Sequence, residues 1–216
     1  MSAAIAYMPI EPMRIESLDP PASALHADWR GLWGGGLPTE LRDNMFADPR
    51  LDHRMGALCA RAAGAPPVNA ATLRTQDKSD YLSYMSDPRR AAWLAGLIWH
   101  ASALSGIVLG ADMRALAQSV PAEDIAAALS HRSLAPKSRE ASIEPSRLAE
   151  AVLISGQRCV RSWAGGLPDA LRVRAMLTLP SVLGAAAPPN FELDRHSSPI
   201  INAVLQELAD QKQGAH

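Results

Sequence analysis

The stretch DPRRAAWLAGLIWHASALSGIVLGADMRALAQS, residues 87–119, decides the fold. Asp87 is a natural N-cap, since its carboxylate accepts one of the backbone amide hydrogens a helix leaves unpaired at its start. Pro88 follows at the first helical position, where a missing N–H costs nothing. Trp93, Leu94, Leu97, Ile98, Ala101 and Leu104 then recur at helical spacing, while Ala91, Ala95 and Gly96 keep the rest of the surface small and apolar. Such a helix is poorly soluble when left in water, and its apolar core ends near Leu104, short of the roughly 20 residues a bilayer requires. It is expected to be the central buried helix of a soluble helical domain, with Gly106 breaking the pattern and a second helix running from Leu109 to Ser119.

Working outward, the chain predicts an all-α protein, an irregular bundle of seven to eight helices with a Pro/Gly-rich leader. Residues 1–80 are read as an N-terminal lobe, 81–183 as the helical core, and 184–216 as a linker with a C-terminal helix. In the lobe, Leu25, Trp29, Leu32 and Trp33 form a short helix that ends at Gly34 to Gly36, and Thr39 to Met45 makes a helical turn. Asp48-Pro49 repeats the cap-then-proline start, for a helix bearing Leu51, Met55, Leu58 and Cys59. Residues 65–80 read as a long connection with at most one helical turn. Pro121 opens a helix with Ile125, Ala128 and Leu129 inward. Glu144-Pro145 opens a long one on which Leu148, Val152, Ile154, Ser155, Cys159, Val160 and Trp163 reach the core. Pro168 starts the next, with Leu171, Met176 and Leu177 inward and Arg172 and Arg174 outward. Ser198-Pro199 starts the last, through Ile200, Ile201, Val204, Leu205 and Leu208.

Composition limits function. The 216 residues carry 21 basic and 22 acidic groups, a balance that disfavours a protein whose task is to hold nucleic acid, where clustered cations must displace counterions. Cys59 and Cys159 lie on apolar helical segments and read as buried thiols in a reducing compartment. The N-terminal segment lacks the basic and apolar regions of a secretory signal. No phosphate-binding loop, His-Glu-x-x-His, Cys-x-x-Cys or Gly-x-Ser-x-Gly occurs, and the six histidines are dispersed. No catalytic residue, metal ligand or cofactor is expected. His100, beside Trp99, is read as a buried neutral imidazole bonded to a backbone carbonyl; a ligand pocket or small active site around Trp99 and His100 is the alternative. The arginines at 147, 158, 161, 172 and 174 read as a solvated face, with a helix-turn-helix DNA-binding regulator as a further alternative.

Three stretches carry a resemblance to a known family: RRAAWLAGLIWHASALSGIVLGADMRALAQSV (89–120), IAAALSHRSL (125–134) and LAEAVLISGQRCVRSWAGGLPDALRVRAMLTLP (148–180). Their succession of a bent helix pair, a long helix, a Gly-Leu-Pro step and an arginine-bearing helix resembles the YscK/SctK-type adaptors of the type III secretion sorting platform, including their rhizobial relatives. The resemblance covers roughly residues 88–180. It implies a non-enzymatic cytoplasmic adaptor, peripheral to the inner membrane through its partners and not inserted in it. Those partners would be the cytosolic domain of an inner-membrane ring protein and the pod component of the platform, with no nucleic acid. Adaptor contacts favour exposed aromatics and arginines, so Trp29, Trp33, Arg89, Arg90 and Arg132 are the interface candidates.

Overall fold

The structure, a computed structural model, describes residues 18–33, 36–69, 71–106, 120–137, 147–181 and 191–214, with backbone alone for 191–194 and 212–214. Among these residues the chain is all helical, without a strand. Ten α-helices occur: α1 Ala27–Trp33, α2 Thr39–Ala47, α3 Asp52–Ala62, α4 Thr75–Ser86, α5 Pro88–Trp99, α6 Ala101–Leu104, α7 Ala122–Ser130, α8 Leu148–Gly165, α9 Asp169–Met176 and α10 Phe191–Gly214. Short 3-10 turns lie at Ala22–Ala24 and Arg132–Leu134. Most of the expected leader, the helix from Leu109 to Ser119, the Glu144-Pro145 start and the linker beginning at 184 fall outside the described residues.

The central helix is α5. Asp87 caps it as expected, accepting the Arg90 amide at 2.9 Å, and seven of its twelve residues are buried: Ala91, Ala92, Leu94, Ala95, Gly96, Leu97 and Ile98. Helix α8 crosses it in backbone contact. A Cβ placed on Gly96 would lie 1.9 Å from the Val152 carbonyl oxygen, and one on Gly156 would lie 1.7 Å from that of Ala92. Only hydrogen fits at both positions. Helix α10 covers this pair with Ile200, Ile201, Val204, Leu205 and Leu208, all buried as the sequence indicates, and α4 adds Tyr81 and Tyr84, the latter ring tilted against Trp163 at 5.2 Å.

A second, smaller cluster of Ala22, Leu25, Phe46, Cys59, Ala60 and Ala65 lies within the N-terminal segments and closes over Leu177. Polar contacts hold it on the main core. The Trp29 indole donates to the Leu179 carbonyl at 2.8 Å, the His26 amide to that of Leu177 at 2.9 Å, and the Ser181 amide to the Asp28 carboxylate at 2.9 Å. The Ser181 hydroxyl also donates to Asp28, at 3.0 Å, and the amide bond first and this one second lower the Asp28 pKa.

Several expectations are corrected. Residues 75–86 are a three-turn helix and not a loop; Asp77, Tyr81 and Tyr84 are buried at helical spacing, a face obscured by the polar residues between them. Asp48-Pro49 does not start α3: the Asp48 side chain accepts the Arg50 amide at 2.9 Å in a local turn, and the helix begins at Asp52. Ser198-Pro199 lies within α10, where proline removes one amide donor yet the helix continues on its buried aliphatic face. The central helix breaks at His100, giving α5 and α6. Arg174 faces inward, donating to Asp19 at 2.8 Å and to the carbonyls of Pro66 and Ala170 at 2.9 and 2.7 Å. Leu58, Leu129 and Ile154 are exposed.

Gly156→Ala and Gly96→Val each force a side chain into a backbone carbonyl, and each is expected to lower unfolding free energy by about 3 kcal/mol or more, with the double variant falling short of the sum because both open the same crossing. Gly31→Ala, whose Cβ meets nothing within 4 Å, should be neutral or stabilising by up to about 1 kcal/mol. Urea unfolding curves measure all of these. The depressed pKa of Asp28 means its contribution is complete above the ordinary carboxylate value of about 3.9 and is lost as pH falls below it. Acid titration of Trp fluorescence should therefore show the lobe loosening in that range, and Asp28→Asn should remove the transition.

Candidate functional site

The structure separates the residues that the sequence nominates. Trp29 and Trp33 are half-buried against the smaller cluster. Trp29 commits its N–H to Leu179 and so fastens the lobe to the core. The Trp33 Nε1 is buried without a hydrogen-bond partner, and the Nε of Arg30, one turn before it, is in the same condition. Arg89 and Arg132 are exposed. Arg90 is committed to Asp124: its Nη1 donates to Oδ2 at 2.6 Å, its Nη2 reaches Oδ1, and the Trp93 indole donates to Oδ2 at 2.9 Å. Asp124 is fully buried, and a buried carboxylate persists only when paired and hydrogen-bonded. This joint fixes α7 to α5. Sequence reading missed it because Glu123-Asp124 after Pro121 looks like ordinary acidic residues at a helix start; the available signal was Arg90 and Trp93 at helical spacing on one face of α5.

Trp99 and His100 face different helices. The Trp99 ring stands edge-on to His196 of α10 at 6.2 Å, whereas the His100 Nε2 lies 3.0 Å from the Ser155 hydroxyl of α8. His196 in turn pairs through Nδ1 with the Leu134 carbonyl at 2.9 Å, and His131 lies 3.1 Å from Glu207, so two histidine contacts hold α10 to the turn after α7. Among the described residues no group of three His, Cys, Asp or Glu is placed to hold a metal ion, and no helix is long and apolar enough to cross a membrane.

An open groove of about 460 Å³ lies in the N-terminal lobe, lined by Ser23, Arg30, Phe46, Ala47, Asp48, Pro49 and Asp52. Most of its polar groups have partners: the Arg30 Nη2 donates to the Ser23 carbonyl at 2.9 Å and the guanidinium lies 5.8 Å from the Phe46 ring centre, Asp52 accepts the Ser23 amide at 2.8 Å, and hydrogen bonds from Arg50 hold the Asp48 carboxyl at about 2. Large apolar side chains in water stand out more. Leu32 in α1, Leu37 before α2 and Leu41 in α2 are 62%, 42% and 50% exposed. On α8, Leu153 and Ile154 are 44% and 40% exposed. None of these five was singled out for interaction from the sequence, because a leucine beside Trp33 or within a buried helix reads as core.

Comparison with known proteins finds similarity to the nodulation protein NolU of Rhizobium fredii and of Sinorhizobium fredii (strain NBRC 101917 / NGR234), each 37% identical over 120 residues, 55% of this chain and 55% of the relative. The chain thus spans about half the length of the curated relatives it matches. No family model matches, and no solved structure matches.

Both cysteines are buried free thiols, as expected from their apolar surroundings. Burial pushes Cys59 up to about 11 and Cys159 up to about 12. Since the thiolate is the reactive form, native protein at pH 8 should react with DTNB roughly a hundredfold more slowly than urea-unfolded protein, and both thiols should titrate on unfolding.

Proposed function

We propose that this chain is a non-enzymatic adaptor of a type III secretion system, one that joins the cytosolic domain of an inner-membrane ring protein to the pod component of the sorting platform. Supporting this reading are the resemblance of residues 88–180 to the YscK/SctK-type adaptors and the similarity to rhizobial nodulation proteins. The observation that carries it is the exposure of Leu32 in α1, Leu37 before α2 and Leu41 in α2, on a lobe pinned to the core by Trp29, Asp28 and Arg174. Large apolar side chains left in water on a lobe surface are candidates for contact with a partner. A pinned lobe loses little freedom on binding, which favours a stable junction. The adaptor would work in the cytoplasm and reach the membrane through the ring protein.

Tagged chain co-expressed with the pod component and the ring-protein cytosolic domain should co-purify with both, and the Leu37→Asp, Leu41→Asp double variant should weaken one of the two contacts by about tenfold or more with its helical circular-dichroism spectrum unchanged. Failure to retain either protein would overturn the adaptor assignment.

A further inference from the structure

Helix α3 turns Gly56, Cys59 and Ala60 inward. Cys59 and Ala60 enter the smaller cluster, and Gly56 lies so close to Pro20 that an added Cβ would stand 1.6 Å from its carbonyl oxygen. At about 100° per residue, Arg54, Leu58 and Arg61 all fall within about 40° of the line opposite those three. All three are exposed, Leu58 to 49%. Their spacing is Arg-x-x-x-Leu-x-x-Arg, so Leu58 sits between two guanidinium-bearing residues about 10 Å apart along the axis. Asp52, the acidic residue of α3, lies on the side away from Arg54, where its carboxylate accepts the Ser23 amide and hydroxyl at 2.8 and 3.3 Å.

Nothing on this helix neutralises the two arginines. Three and four residues from Arg54 stand Arg50, Leu51, Ala57 and Leu58, and from Arg61 stand Ala57, Leu58, Gly64 and Ala65. None carries a carboxylate, so neither arginine has the neighbour that Arg74 finds in Asp77 or Arg172 in Asp169. Among the described residues neither makes an ion pair or hydrogen bond. On a chain whose net charge is −1, this arc therefore holds a local positive excess around one large apolar side chain. Two fixed cations flanking a leucine are matched by two anions at the same spacing flanking another apolar group. A helix lying along α3 supplies that pattern when it carries acidic residues seven apart with an apolar residue between them, since those three share one face about 10 Å long. Nucleic acid is a poorer fit, because phosphates would use Arg54 and Arg61 and leave Leu58 in water. So is a bilayer, because one leucine beside Ala57 and Ala62 offers it little apolar area to bury.

We propose that the outward face of α3 docks an acidic helix of a partner protein, with Leu58 against its central apolar residue and Arg54 and Arg61 each facing a carboxylate. This rests on the adaptor reading and deepens it, adding to the exposed leucines of α1 and α2 a contact whose charge selects the partner. Rim charges of this kind set association rate and choice of partner more than raw affinity. The contact is therefore expected to be salt-sensitive.

The test uses the full-length chain, the pod component and the ring-protein cytosolic domain, with binding followed by fluorescence anisotropy. The wild type should bind at least one of the two. Arg54→Glu combined with Arg61→Glu should weaken that contact by about tenfold or more, and Leu58→Ser by about fivefold or more. Arg54→Lys with Arg61→Lys, which keeps both charges, should stay within about threefold. Because all three side chains are exposed, the variants should keep the wild-type circular-dichroism spectrum and urea midpoint. Salt should weaken the wild type more than the double reversal. A photo-crosslinker at Leu58 should label a partner segment with acidic residues seven apart. If either the double reversal or Leu58→Ser binds as the wild type does, the α3 proposal falls and the adaptor reading stands. Binding to neither protein removes both. A crosslink to a second copy, or binding to phosphatidylserine vesicles or DNA that the double reversal abolishes, also overturns the proposal, because the occupant is then of another kind.

Discussion

The fold depends on one close approach. Where α5 and α8 cross, Gly96 and Gly156 bring each helix's backbone against a carbonyl of the other, Val152 on one side and Ala92 on the other. Side chains normally hold helices 8–10 Å apart, and here the absence of Cβ atoms removes that spacer. With the two axes drawn together, Leu94, Leu97, Ile98, Val160 and Trp163 meet as one core, and α10 closes over it. Glycine inside a helix costs up to about 1 kcal/mol relative to alanine; the dispersion and burial gained at a close crossing offset it.

Around this centre, buried charges are used as joints. Asp124 accepts from Arg90 and Trp93 and locks α7 to α5; Arg174 donates to Asp19 and the Pro66 carbonyl and locks the N-terminal segment to α9. Each is costly unless fully partnered, so each specifies a single arrangement. The N-terminal lobe has a small apolar cluster of its own and relies on such directional contacts to hold its orientation. Rigidity of this kind matters for a proposed adaptor, since a junction between two proteins transmits position only if its own parts are fixed.

Some large apolar side chains stay in water outside this core, among them Leu32, Leu37 and Leu41 in the N-terminal segments and Leu153 and Ile154 on α8, where successive residues point about 100° apart.

Much of this was legible along the chain. The Asp87-Pro88 start, the helical period of α5, α8 and α10 and the buried thiols follow from local rules of capping and periodicity, and these depend only on residues within a few turns. The helix at 75–86 was missed because its buried face is made of Asp77, Tyr81 and Tyr84, two of them tyrosines whose hydroxyls need distant partners at Leu18 and Thr178. Likewise, whether Arg174 or Arg158 meets water is decided by what lies across from it, Asp19 in one case and solvent in the other. A sequence determines which faces are apolar and where helices begin; which of those faces find cover depends on how close two helices can come, and at α5 and α8 that distance is set by two glycines 60 residues apart.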